Sequence, residues 1–152
     1  MVKDIDIPAG GGFLDYAPAP ESTSILKLRD SYGLFIDGDF VDGHGTPFST
    51  VSPATEKVIA EIATANERDV DLAVAAARRA YDKTWSKLSG ADRGKYLFRI
   101  ARRIQERARE LAVLESMDGG KPIRESRDVD VPLAAAHFFY YAGWADKLDY
   151  AF

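Results

Sequence analysis

The stretch HFFYYAGWADKLDYAF, residues 137 to 152, sets the tightest limit on how this chain can fold. Seven of its sixteen residues are Phe, Tyr or Trp. Each such side chain removes roughly 150–250 Å² from water when it packs, so a run this dense needs a covering surface. On a helix, Leu133, His137, Tyr140, Trp144 and Leu148 form one stripe, with Ala134, Phe138, Tyr141 and Ala145 beside it. A helix apolar around that much of its circumference is buried on more than one side. Upstream helices can cover one side. The other calls for a partner that this chain does not obviously supply.

The upstream helices are written clearly. Residues 65 to 152 read as helical, beginning with Asn66 as N-cap and Asp69 at the N3 position. Val70, Ala73, Val74, Ala77 and Tyr81 then fall on one face, which predicts a buried side. Ser89 and Asp92 repeat the capping pattern. Behind them Leu97, Ile100, Ile104, Ala108 and Leu111 hold one stripe down to Met117. A helix this long should bend near Arg107 to Arg109. Gly120, with Pro122 after it, stops it. The last helix starts near Ile123 and kinks at Pro132.

Residues 32 to 64 read as three or four short antiparallel strands. Asp37-Gly38 and Asp42-Gly43 are hairpin signals between the apolar pairs of LFIDGDFVDG, and Pro53 turns the chain before Val58 to Ile62. Residues 1 to 31 carry Gly10 to Gly12, Pro18 and Pro20 and show no period. They read as an extended or disordered arm. It is either a loose extension or a tether to a neighbouring subunit anchored by Phe13, Leu14 and Tyr16.

Composition removes several functions. The 24 acidic and 20 basic residues leave a net charge of −4, which argues against nucleic-acid binding. The absence of cysteine excludes disulfides, thiolate metal sites and a cysteine nucleophile in this chain. No apolar run approaches a membrane span and the N-terminus lacks the basic-then-apolar pattern of a signal peptide, so a cytoplasmic location is expected. MDGGKP at 117 to 122 lacks the glycine spacing and the Ser or Thr of a phosphate loop and reads as a helix stop. The arginines from Arg93 to Arg109 are offset by Glu106 and Glu110, as on a solvated helix face. His137 is expected to be a hydrogen-bonded core residue. Glu115 and Asp118, three apart, have no titrating partner that would make them an acid–base pair. Spacing and chemistry alone yield no catalytic constellation.

LFIDGDFVDG, FSTVSPATEKVIAEIATANERDVDLAVAAARRAYD, DRGKYLFRIARRIQERARELAVLESMDGGKP and HFFYYAGWADKL occur in that order. Together, over about 33 to 148, they resemble the N-terminal portion of an NAD(P)-dependent aldehyde dehydrogenase. The resemblance implies that family's α/β fold, present here as its N-terminal piece: short antiparallel strands followed by a mainly helical bundle. It also implies the family reaction, in which a Cys thiolate attacks the aldehyde, hydride passes to NAD or NADP, and Glu-activated water hydrolyses the thioester. The catalytic Cys and Glu and the dinucleotide-binding turn have no counterpart here. The expectation is therefore a chain with no catalytic or cofactor-binding residues of its own, inactive alone and binding no nicotinamide. Its partner would be the remainder of the fold or a related subunit; the alternative is a non-enzymatic module docking onto a full-length relative. Thr50, Val51 and Asp118 match positions whose main-chain oxygens hold a monovalent cation in many members. Val129 and Leu133 match positions that line the substrate tunnel, with core packing the competing role for both.

Overall fold

A computed structural model describes residues 21 to 151. The arm anchors Phe13, Leu14 and Tyr16 lie outside them. After a 3₁₀ turn at Thr23–Ile25 come five short strands: β1 Ser31–Tyr32, β2 Leu34–Ile36, β3 Asp39–Val41, β4 Phe48–Val51 and β5 Val58–Ile62. The β2–β3 hairpin closes on Asp37 (φ 57°) and Gly38 (φ 93°), both left-handed, as a two-residue hairpin turn requires. Phe35 and Phe40 pack edge to face across it, with ring centres 5.1 Å apart.

Two strand expectations need correction. Asp42-Gly43 closes no hairpin, because β3 and β4 belong to different sheets. The chain there runs past Thr64 instead, and the Gly45 N–H donates to the Thr64 carbonyl at 3.0 Å. Antiparallel pairing is also only part of the arrangement. β4 and β5 are antiparallel, but β1 lies along the other edge of β5 in parallel, in the order β1-β5-β4. The Glu61 N–H reaches the Asp30 carbonyl and the Ala63 N–H the Tyr32 carbonyl, each at 2.9 Å. The hairpin and β4 act as the crossover that a parallel pair needs. A two-residue strand has no alternation from which this could be read.

Helix α1 spans Glu67–Lys83. Asn66 Oδ1 accepts from the Asp69 N–H at 3.1 Å and Asp69 Oδ2 accepts from the Asn66 N–H at 3.0 Å, completing the expected capping box. The same carboxylate takes two bonds from a residue far upstream: the His44 backbone N–H at 2.8 Å and His44 Nδ1 at 2.6 Å. Asp69 is 2% exposed. The Asn66 N–H first, and then the His44 N–H, lower its pKa from an ordinary 3.8 to about 2. A carboxyl depressed in the folded state adds stability that is complete above about pH 3.8 and is lost as pH falls through about 2. We expect thermal melts by circular dichroism to weaken across that window. Asp69→Ala should lower Tm at neutral pH by roughly 5–10 °C and flatten the acid decline. An unchanged neutral Tm would show that this carboxylate does not clamp the helix start.

After a 3₁₀ turn at Trp85–Lys87 come α2, Gly90–Glu106, and α3, Ala108–Gly119. Ser89 caps α2 by accepting from the Asp92 N–H at 3.1 Å. The expected bend falls at Arg107 (φ −109°, ψ 17°), and Gly120 ends α3 in a left-handed conformation with φ 72°. The last helical run comprises α4, Ile123–Glu125, a π-helical turn, Ser126–Asp130, and α5, Val131–Trp144; α6 follows at Leu148–Ala151. The irregularity expected at Pro132 takes the form of that π turn. Pro132 has no N–H to return to Asp128, and the Val131 N–H bonds back five residues to the Ser126 carbonyl.

The main helix–helix contact joins α2 to α5. Its closest approaches are made by small residues that the stripe from Leu97 to Leu111 did not announce. A Cβ on Gly90 would lie 2.3 Å from the Ala145 carbonyl oxygen, and one on Gly94 2.9 Å from that of Ala142. The two backbones meet where only glycine fits. Ala101 and Ala135 are buried on these helices, and Phe98 meets Phe139 edge to face with ring centres 4.9 Å apart. Ile100 is exposed, and so are Val70, Val74 and Tyr81 on the α1 face expected to be buried. Among helices and strands, α1 contacts β2 and the Trp85–Lys87 turn, with Arg79 reaching Asp37 at 2.9 Å.

Among the described residues the buried apolar positions are five alanines and two valines, while Phe35, Phe40, Phe48, Tyr140 and Tyr141 are all exposed. Apolar patches beyond a few hundred Å² mark interfaces or aggregation-prone surfaces. The isolated chain should bind hydrophobic dyes at neutral pH and melt over a broad range. A monodisperse monomer with a sharp two-state melt would contradict this.

Candidate functional site

The uncovered side of the last helix begins at the π turn. The turn carries Val129, α5 carries Leu133, and the two side chains are exposed to similar extents, 49% and 50%. Neither lies in this chain's core. Farther along, Tyr140, Tyr141 and Trp144 are exposed. Tyr140 meets Tyr141 edge to face at 5.2 Å and Trp144 at 6.3 Å between ring centres. The buried positions of the helix, Val131 and Ala135, and the Phe98–Phe139 contact give it a covered side. α5 thus has a packed side, carrying Val131, Ala135 and Phe139, that belongs to neither expected stripe, while Leu133, Tyr140 and Trp144 of one stripe and Tyr141 of the other stay open. His137 is exposed rather than a core histidine. The reason is that α2 approaches through glycine and alanine and leaves the stripe through Leu133, His137 and Tyr140 uncovered.

Thr50 and Asp118, 68 residues apart, come together. Thr50 Oγ1 donates to Asp118 Oδ1 at 2.5 Å, which ties β4 to the last turn of α3. Val51 ends β4 beside Thr50. The last carbonyls of α3 lack partners within the helix and carry the negative end of its dipole. Thr50 and Asp118 also line an open cleft of about 980 Å³ between the three-stranded sheet and α3, walled by Phe48, Ile62, Leu111 and Leu114. Sequence reading did not foresee this cleft, because its walls come from segments far apart in the chain.

The carboxylates near this end are engaged separately. Glu115 and Asp130 both accept from Lys121, and these two bonds, that to Asp130 first, raise the lysine pKa above its ordinary value. The arginine series is offset locally, as expected of a solvated face. Arg103 pairs with Glu106 at 2.9 Å and Arg107 with Glu110 at 2.8 Å, both three residues apart on the helix. Among the described residues no three His, Cys, Asp or Glu side chains form a metal cluster, and no helix is long and apolar enough to cross a membrane.

The fold and the sequence point to the same relatives. The family described as "Aldehyde dehydrogenase family" matches residues 40–151. Aldehyde dehydrogenase 1 of Tanacetum cinerariifolium is 49% identical over 117 residues, which is 76% of this chain and 23% of that protein. Among solved structures, PnpE from Pseudomonas sp. WBC-3 superposes with TM-score 0.73 at 51% identity, covering 77% of this chain and 24% of that one. The NAD+ complex of the Bacillus cereus aldehyde dehydrogenase superposes with TM-score 0.75 at 39% identity, covering 78% and 24%. The chain spans about a quarter of the length of the relatives it matches. By its matched residues and its fold, it belongs to the aldehyde dehydrogenase family.

Proposed function

We propose that this chain serves as the N-terminal segment of an NAD(P)-dependent aldehyde dehydrogenase and that the open aromatic side of α5 is where the rest of that fold docks. The observation that carries this reading is the exposure of Tyr140, Tyr141 and Trp144 along a helix whose opposite side is packed. Val129 and Leu133, half exposed at the start of the same helix, would line the approach of an apolar aldehyde. The main-chain oxygens of Thr50, Val51 and Asp118 would hold a monovalent cation. The Thr50–Asp118 bond and the unpaired carbonyls ending α3 support this fit, and the ion would brace β4 against that helix. When bound, the nicotinamide accepts hydride from the substrate. The contribution of this chain's own residues is to shape and dry the tunnel wall and to hold the helix that presents it.

The test is reconstitution. Residues 1 to 152 are co-expressed with the downstream portion of a close relative, and NAD(P)-dependent aldehyde oxidation is measured. Activity present only with both parts supports the reading. Association without activity favours a non-enzymatic docking module, and neither outcome leaves the docking face without a role.

A further inference from the structure

We infer that residues 13 to 16 of this chain, Phe-Leu-Asp-Tyr, dock into the arginine-rimmed groove along α2 and the start of α3. The groove, about 350 Å³, has Ile100, Ile104 and Leu111 as its floor, Tyr96 at one end, and Arg99 and Arg103 on its rim. It lies on a different face of α2 from the Gly90–Gly94 seam, so α5 does not cover it. Tyr96 and Ile100 are 45% and 42% exposed. The Arg99 guanidinium sits 5.8 Å from the centre of the Tyr96 ring and has no carboxylate partner among the described residues. The groove therefore asks for an apolar occupant with a negative charge beside it.

Residues 1 to 20 meet both conditions. They contain Asp4, Asp6 and Asp15 against the single Lys3, and Phe13, Leu14 and Tyr16 flank Asp15. The segment is also delivered to the right place. Glu21, the first described residue, accepts from Arg109 Nε at the start of α3 and faces Arg127 at 3.9 Å. From Glu106, the end of α2, back to Tyr96 is ten residues, about 15 Å at helical rise, with Arg109 just past the bend at Arg107. Eight extended residues from Glu21 to Phe13 reach about 26–29 Å. The segment can span the groove while Glu21 stays fixed. A tethered segment meets its site at an effective concentration in the millimolar range, which favours it over a second copy of the chain.

The chain has no cysteine, so a cross-link can be read without background. In the full chain, Leu14→Cys is paired with Arg103→Cys. The comparison pair is Leu14→Cys with Asp71→Cys, an exposed position on α1. A disulfide needs Cα atoms within about 7 Å. The groove pair should close within one chain at least about tenfold faster under mild oxidation. Adding Phe13→Ser and Arg99→Glu to it should slow closure to the rate of the comparison pair. Equal rates for the two pairs, insensitivity to those added substitutions, or disulfides formed only between chains would each overturn the assignment.

Discussion

Purified alone, the 152-residue chain is expected to oxidise no aldehyde with NAD or NADP and to show no saturable binding of either nucleotide. The family reaction needs a thiolate to attack the aldehyde carbon, since hydride leaves from the adduct so formed. With zero cysteines, the chain supplies no such nucleophile. Loss of a nucleophile elsewhere costs about a million-fold in kcat, so a residual rate would be indistinguishable from background. The check is NADH formation over a panel of aldehydes, with isothermal calorimetry for the nucleotides. A micromolar Kd for NAD would show a dinucleotide site that the chain's motifs do not announce.

The second large effect is expected in the reconstituted protein, where Trp144→Ala should weaken association by about 10- to 60-fold. Trp144 is 41% exposed in this chain. Of the roughly 150–250 Å² that a large aromatic can bury, about 60–100 Å² is therefore still available. At about 25 cal/mol per Å², covering it contributes about 1.5–2.5 kcal/mol. The sequence contains only two tryptophans, Trp85 and Trp144, so a Trp85→Phe background isolates the reporter. Its emission should shift to shorter wavelength when the remainder of the fold is added, with activity rising in parallel. Unchanged emission together with wild-type affinity in Trp144→Ala would move the docking face elsewhere.

These expectations rest on features of two kinds. The helix boundaries were legible in the sequence by itself. Asn66 and Ser89 cap helices, Gly120 ends one, the chain breaks at Arg107, and Pro132 distorts the last helix. Each is decided by hydrogen bonds within about five residues, and the residue types that make or forbid such bonds are written locally. Helical period also grouped the large side chains of the last helix, but the side that packs runs through Val131, Ala135 and Phe139, outside both of its stripes. The order of the quoted motifs was enough to carry the family resemblance.

Tertiary structure decided which surfaces actually meet. The stripe of α2 was drawn through its large residues, of which Ile100 is exposed, whereas the closest approach to α5 is at Gly90 and Gly94. Backbones separated by glycine approach more closely than large side chains allow, and no hydrophobic count ranks a glycine first. Val70 and Val74 are as regularly spaced as any buried pair and are exposed, since nothing described here lies over that face of α1. The clamp of His44 on Asp69 joins residues 25 apart, and the bond from Thr50 to Asp118 joins residues 68 apart. The parallel placement of β1 beside β5 likewise depends on a hairpin and a strand folding between them. Local sequence fixes which elements form; which of their faces touch depends on chain closures over tens of residues, and no short window of sequence contains both partners.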